Sequence, residues 1–225
     1  MTKRTAFIGA ILSLIPLGQP LLIKTGVALS STGLMLLVSD NVYANDGVYY
    51  FNLGNEKADK GDHYGAISDF SKAIEINPKD DDAYFNRGNS KVDLKDYYGA
   101  ISDFSKAIEI RPAEDAYYNR GKAKSDLNDY KGSILDYSKA IEINPQYSEA
   151  YLNRGYSKSE LKDYYGAISD YSKAIEINPV YAKAYTNRSE SKESIGDIKG
   201  ACADAKKAFS LGDEDANKSW IKENC

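Results

Sequence analysis

The segment YYGAISDFSKAIEI at residues 97–110 occurs again at 164–177 as YYGAISDYSKAIEI, with a single substitution. Two close variants stand at 63–76, HYGAISDFSKAIEI, and at 130–143, YKGSILDYSKAIEI. A proline lies two residues beyond each copy, and successive prolines are 34, 33 and 34 residues apart: Pro78, Pro112, Pro145 and Pro179. Such a constant period indicates one supersecondary unit that is repeated along the chain.

Each repeat carries two helical patterns. In the segment 63–76, the apolar residues fall on one face of a helix: Ala66, Ile67, Phe70, Ala73 and Ile74. The proline that follows ends this helix, because the residue before a proline avoids the α conformation. An aspartate suited to an N-cap precedes the helix in every unit: Asp62, Asp96, Asp129, Asp163 and Asp197. The first helix of each unit is predicted over about 84–94 and the equivalent residues.

Residues 1–44 differ from the rest of the chain. Lys3 and Arg4 precede one apolar run, residues 26–38 form a second, and Val42-Tyr43-Ala44 has small or short residues where a signal peptidase reads. One interpretation is a cleaved export signal. A second is a retained membrane anchor, because 5–23 approach the ~20 residues that a span requires. A soluble buried segment is the third alternative. Under the first two, the body is expected outside the cytoplasm, in a periplasm or lumen or attached to a membrane.

The composition argues against several kinds of function. The net charge is −4, which offers no electrostatic reason to bind nucleic acid. The single histidine is His63, and Cys202 and Cys225 do not have the spacing of metal ligands. We therefore expect no enzyme, no cofactor and no metal site. The two cysteines either form a disulfide outside the cytoplasm or remain free thiols.

The repeat resembles the tetratricopeptide repeat (TPR). In the second unit the family's small and large positions are matched by Tyr84, Gly88, Ala100, Phe104, Ala107 and Pro112. The last four units depart from it with an arginine where the family usually has leucine. The last unit departs further, with Ser189, Ala205, and Asp213 in place of the proline. The segments SLIPLGQPLLIKTG and GAISDYSKAIEINP are also similar to those of short exported or membrane-anchored TPR proteins of cyanobacteria.

The resemblance implies an all-α fold, a right-handed α-solenoid of five TPR helical hairpins. One hairpin cannot bury its apolar face alone, whereas stacked copies bury it against each other. The units are expected at 47–78, 81–112, 114–145, 148–179 and 182–213, followed by a C-terminal capping helix at 214–225. Gly212 is interpreted as a helix stop, and Ala216, Trp220 and Ile221 as the apolar face of the capping helix.

The resemblance also implies a concave groove that binds a protein or peptide. An asparagine recurs in all five first helices: Asn52, Asn86, Asn119, Asn153 and Asn187. This ladder of amides could hold the backbone of an extended peptide, and the alternative is hydrogen bonding within each helix. Two neighbouring positions vary as a recognition surface requires: Phe51, Phe85, Tyr118 and Leu152, and Asn55, Asn89, Lys122 and Tyr156. The alternative functions are a membrane-tethered assembly factor for a membrane complex, or an enzyme framed by the solenoid.

A second set of charged residues repeats with the same period. Arginines occupy the first helices at Arg87, Arg120, Arg154 and Arg188, and aspartates the second helices at Asp69, Asp103, Asp136 and Asp170. We expect structural ion pairs between these helices, within or between units. The alternative is independent solvated charges, since exposed pairs contribute little.

Overall fold

The computed structural model describes residues 35–213 and 218–225, and every regular element in this part of the chain is an α-helix. The helices are α1 Met35–Asp59, α2 His63–Ile76, α3 Asp81–Asp93, α4 Tyr97–Ile110, α5 Glu114–Asp126, α6 Tyr130–Ile143, α7 Ser148–Glu160, α8 Tyr164–Ile177, α9 Ala182–Ser194, α10 Ile198–Ser210 and α11 Lys218–Asn224. Residues 1–34, most of the segment interpreted as a signal or anchor, lie outside the described residues. None of the described helices combines the length and apolar character that a membrane span requires.

The chain divides into two compact units, 1–46 and 47–225, and the repeats belong to the second. From α2 to α10, each helix packs against the next one along the chain. The first helices of neighbouring hairpins also contact each other, α3 with α5, α5 with α7 and α7 with α9. The hairpins are thus stacked as an all-α solenoid, and the odd-numbered helices from α3 to α9 stand side by side and share one surface.

The core of each of the first four hairpins pairs an aromatic residue with a glycine. Phe104 of α4 is fully buried, and a Cβ atom placed on Gly88 of α3 would lie 2.8 Å from its Cε1 atom. The same close approach joins Gly54 to Phe70, Gly121 to Tyr137 and Gly155 to Tyr171. A glycine in the middle of a helix lowers helix stability by ~1 kcal/mol relative to alanine. Glycine is nevertheless required here, because a larger side chain would overlap with the aromatic ring. In the last hairpin, Ser189 and Ala205 take these two positions, and the Ser189 hydroxyl donates to the Ala201 carbonyl at 2.9 Å.

Side-chain capping marks the beginning of the second helices and of α3. Asp96 accepts a hydrogen bond from the Gly99 amide at 3.0 Å, and the equivalent aspartates of the other units do the same, which confirms the predicted N-caps. The prediction for the first helices was about one turn too short. The helix α3 begins at Asp81 because Asp80 caps it by accepting from the Ala83 amide at 3.0 Å.

The turn inside each hairpin requires a left-handed residue. Lys95, Asn128 and Lys162 have φ of 61°, 61° and 64°, and Gly61 and Gly196 hold the same place in the first and last hairpins. This conformation lets the next amide reach back to the helix, as Asp96 N does to the Lys91 carbonyl at 2.8 Å.

The C-terminal helix α11 packs against α10. A disulfide joins Cys202 of α10 to Cys225, with 5.5 Å between the Cα atoms. The Trp220 indole also donates to Glu193 of α9 at 2.8 Å. Of the helix predicted for 214–225, the structure describes Lys218–Asn224, and Ala216, which was assigned to its apolar face, lies outside the described residues.

Candidate functional site

One stripe of side chains runs along every first helix. Residues spaced i, i+4, i+7 and i+11 lie on one side of an α-helix. We call the surface made by these stripes the first-helix face. Its members are Val48, Asn52, Asn55 and Asp59 of α1; Asp82, Asn86, Asn89 and Asp93 of α3; Asp115, Asn119, Lys122 and Asp126 of α5; Glu149, Asn153, Tyr156 and Glu160 of α7; and Lys183, Asn187, Glu190 and Ser194 of α9.

Two open clefts lie on this face. The first, of about 590 Å³, is lined by α1, α2 and α3, with Asn55, Asp59, Asn86, Asn89 and Asp93 among its walls. The second, of about 390 Å³, lies where α9 meets the turn 211–213 and is lined by Lys183, Asn187 and Glu190 among others. Each of the four stripe positions therefore lines a cleft on at least one of the helices α1, α3 and α9.

His63, the single histidine of the sequence, lines the first cleft. It is the first residue of α2, and its Nδ1 atom is 3.4 Å from Asp93 Oδ2 of the next hairpin. Within the described ranges, no three His, Cys, Asp or Glu side chains come together in a way that could hold a metal ion.

The asparagine ladder is braced from one hairpin to the next. Asn86 Nδ2 donates to Asn55 Oδ1 at 2.9 Å, and Asn119 Nδ2 donates to Asn89 Oδ1 at 3.0 Å. The amide of Asn153 donates instead to the Tyr118 hydroxyl at 2.8 Å. The bonds from these three amides thus cross between repeats, unlike the helix-local bonds of the alternative interpretation. An amide offers two donors and two acceptor sites, so each of the three keeps capacity for a further partner.

The predicted variable positions beside the ladder divide into two groups. Phe51, Phe85 and Tyr118 are half-buried and pack on the core aromatics of their own hairpins, with ring centroids 5.7 to 5.9 Å apart. Leu152 does not belong to the open surface, since it is only 4 % exposed. Leu152 belongs to a buried cluster against which Tyr151, Ile175 and Tyr181 pack. Leu152 is therefore a core residue, and its assignment to the groove was wrong.

Sequence reasoning missed two tyrosines that immediately precede first helices. Tyr147 stacks on Tyr118 with centroids 4.9 Å apart, and its hydroxyl donates to Asp115 Oδ1 at 2.9 Å. Burial raises the pKa of Tyr147, and the bond to Asp115 raises it further. Burial also raises the pKa of Tyr181 to about 12. The sequence signal that could have found them is their position directly before a first helix. Asp80 occupies the equivalent position before α3.

The repeated arginines and aspartates form one network in each of the last four hairpins. Arg87 binds Asp103 through Nε at 2.8 Å and Nη2 at 2.7 Å, and Lys91 reaches the same carboxylate at 2.7 Å. Arg87 Nη1 also donates to the Ser71 hydroxyl of the preceding hairpin at 2.9 Å. The same set recurs around Asp136 with Arg120, Asp170 with Arg154, and Asp204 with Arg188. These aspartates are at most 5 % exposed, so the network belongs to the frame of the protein.

The first hairpin departs from this arrangement because Leu53 stands in the arginine position. Lys57 and Lys72 bind Asp69 in its place. Burial alone raises the pKa of Asp69, but the hydrogen bonds and charges of the two lysines more than offset it, so the pKa is lowered.

Comparison with known proteins supports a single family. Models described as "TPR repeat" and "Tetratricopeptide repeat" match residues 54–95, 81–114, 114–147 and 148–181. No curated protein sequence matches the chain. A crystal structure of the MamA protein is 26 % identical, with a TM-score of 0.71, over 76 % of this chain and 94 % of that one.

Two further solved structures share the fold at lower identity. YrrB, described as a TPR protein with an unusual peptide-binding site, is 22 % identical, with a TM-score of 0.68, over 80 % of this chain and 92 % of its own. PilW, described as a type IV pilus biogenesis factor, is 22 % identical, with a TM-score of 0.64, over 73 % of this chain and 77 % of its own. Since the repeat models run without a gap from residue 54 to residue 181, more than half of the 225 residues, the chain belongs to the tetratricopeptide-repeat family.

Proposed function

We propose that this protein is a non-enzymatic scaffold that holds an extended segment of a partner protein against the first-helix face. Proteins of this family generally bind protein or peptide partners. The observation that carries the proposal is the braced asparagine ladder, in which Asn86, Asn119 and Asn153 are held in place by bonds from hairpin to hairpin. Amides that are already oriented lose less freedom when they bind a ligand.

The surroundings of the ladder suit a peptide backbone. An extended chain presents an N–H and a C=O at each residue, and side-chain amides satisfy both kinds of group. The half-buried rings of Phe85 and Tyr118 lie beside the ladder and offer apolar surface. Tyr156 of the same face is 43 % exposed, with its ring edge-on to Tyr130 at a centroid distance of 6.3 Å, and it offers further aromatic surface to a partner.

The place of action that we propose is outside the cytoplasm, in a periplasm or lumen or at a membrane. The apolar runs of residues 1–44 support it. The disulfide between Cys202 and Cys225 supports it independently, because such bonds persist in oxidising compartments. Sequencing the N-terminus of the native protein tests the export route. A start at Asn45 indicates a cleaved signal, and an intact Met1 or Thr2 indicates an anchor.

Site-specific photo-crosslinking in the native host tests the binding surface. A photoreactive amino acid replaces Tyr156 on the first-helix face or, as the matched control, Tyr165 on α8, which is 75 % exposed. We expect a discrete adduct from position 156 that is absent from position 165. The adduct should be lost when Asn119→Ala and Asn153→Ala are added. Adducts from position 165 alone, or adducts that survive both asparagine changes, would place the partner elsewhere.

A membrane-tethered assembly factor is the second candidate. The apolar run 5–23, which approaches the length of a span, favours it. It predicts an intact N-terminus and a crosslinked partner that is itself a membrane protein. A cleaved N-terminus would exclude it.

A further inference from the structure

We propose that the segment held by the first-helix face is basic, with lysine or arginine side chains directed toward two rows of carboxylates. This inference rests on the proposed function and specifies the chemistry of the partner. The first row contains Asp82, Asp115 and Glu149, and the second contains Asp59, Asp93, Asp126 and Glu160.

The two rows flank the asparagine ladder. Their members are eleven residues apart on each helix, which corresponds to ~16 Å at 1.5 Å per residue. The ladder and the half-buried rings lie between them. An extended peptide directs successive side chains to opposite sides. A chain that lies on the ladder therefore sends alternate side chains toward the first row and toward the second.

Acidic charge is concentrated on this face. Its twenty stripe positions carry eight carboxylates and two ammonium groups, those of Lys122 and Lys183, a formal charge of −6. The whole chain has a net charge of only −4, so the remainder is slightly positive. Burial raises the pKa of Glu190, and repulsion from Glu193 and Asp213 raises it further, as expected where negative charge accumulates.

The protein's own cations neutralise little of this charge. The arginines and lysines of the internal networks are bound to buried aspartates such as Asp103. Lys106, Lys139 and Lys173 of the second helices pair with glutamates three residues away. Arg111 reaches Asp82 at 2.7 Å. In the part of the chain that the structure describes, the side-chain carboxylates of Asp59 and Asp126 have no hydrogen bond or ion pair.

The cleft between the first two hairpins shows how a basic side chain fits. It has a volume of about 590 Å³, and both Asp59 and Asp93 line it, together with the amides of Asn55 and Asn89. A guanidinium or ammonium group there would meet carboxylates and amide oxygens, which accept its hydrogen bonds. An acidic segment would meet like charge on both sides, and opposite charge across an interface is what speeds association and excludes wrong partners.

Peptide binding to the full chain in a nonionic detergent tests this inference. Three fluorescent peptides of equal length alternate serine with lysine, glutamate or glutamine. We expect the lysine peptide to bind most tightly and to weaken about ten-fold from low to high salt. The row variant, Asp126→Asn with Glu160→Gln, should weaken it about ten-fold at low salt. The outer-face variant, Glu109→Gln with Glu142→Gln, makes the same change in net charge and should leave binding unchanged.

The outcomes separate the basic preference from the proposed function. If the glutamine peptide binds as tightly as the lysine peptide, and Asn119→Ala with Asn153→Ala abolishes both, the scaffold stands and the basic preference is refuted. Equal weakening by the row and outer-face variants would also refute it, because net charge alone would then explain binding. Displacement of the lysine peptide by spermine at an equal concentration of positive charge would also refute the basic preference, because any polycation would then bind equally well. If no peptide binds and position 156 yields no crosslink, both proposals fail.

Discussion

The substitution Asp103→Asn removes one charge from the most regular internal feature of the protein. The Asp103 carboxylate accepts two bonds from Arg87 and one from Lys91, and it is 3 % exposed. The side chains of Arg87 and Lys91 are each 18 % exposed. The asparagine has nearly the same shape, so the change leaves two largely buried cations without their counter-charge.

The expected loss follows from that burial. Removing one partner of a buried ion pair costs about 3–5 kcal/mol, because the other charge stays buried. Both cations keep some contact with water, and the asparagine oxygen still accepts one hydrogen bond. We therefore expect the lower end of the range, a loss of about 3 kcal/mol in the free energy of unfolding.

Hydrogen exchange followed by mass spectrometry measures the loss where it occurs, because stability in a stacked repeat depends on each repeat and its neighbours. Amides in 81–112 should exchange about a hundred-fold faster, whereas those in 182–213 should change little. The control Asp126→Asn makes the same chemical change at an exposed site and should alter stability by less than about 0.5 kcal/mol. If Asp103→Asn behaves like this control, the network contributes nothing to the frame and the reasoning is refuted.

Four further outcomes are expected. Gly121→Ala should destabilise by about 1–3 kcal/mol, although alanine favours helices, because its Cβ would lie 2.9 Å from a Tyr137 ring atom; urea titration measures it, and a gain would contradict the close approach. Lys162→Gly should stabilise by about 0.5–1 kcal/mol, since glycine adopts a φ of 64° without strain; thermal unfolding that shows a loss would contradict this. The pKa of Asp69 is lower in the folded protein than its value of about 4 in the unfolded chain. Its ionised carboxylate therefore stabilises the fold fully above pH ~4, and this contribution is lost as the pH falls through the pKa of the folded state. Between pH ~6 and pH ~3, the Asp69→Asn variant should lose less stability than the parent protein. The disulfide between Cys202 and Cys225 joins residues 23 apart and should stabilise the fold by about 3 kcal/mol. When it is reduced, hydrogen exchange should become faster for the amides of 218–224 but not for those of 81–112. Unchanged exchange in 218–224 would show that packing alone holds α11.

Much of the fold could be predicted from the sequence because the determining interactions are short in range. A proline ends each second helix, and an aspartate three residues from its bonded amide begins it, as Asp96 does with Gly99. The period of 34 residues located the hairpins, and Gly88 and Phe104 matched the small and large positions of the family. The start of the first helices was missed because only α3 among α3, α5, α7 and α9 has a side-chain cap, which Asp80 provides.

The candidate site depended on contacts between residues that are far apart in the chain. The amides of Asn86 and Asn55 meet across 31 residues, and Arg87 bridges its own hairpin to Ser71 of the preceding one. Leu152 joins a buried cluster with residues of α8 and α9, so that position is part of the core although its counterparts in other repeats are more exposed. The amino-acid sequence by itself determined the helices, their caps and the repeat, because these follow from neighbours within one or two turns. Only the stacking of the hairpins decided which side chains meet, which are covered and which remain open to a partner, because that depends on the register of one repeat against the next.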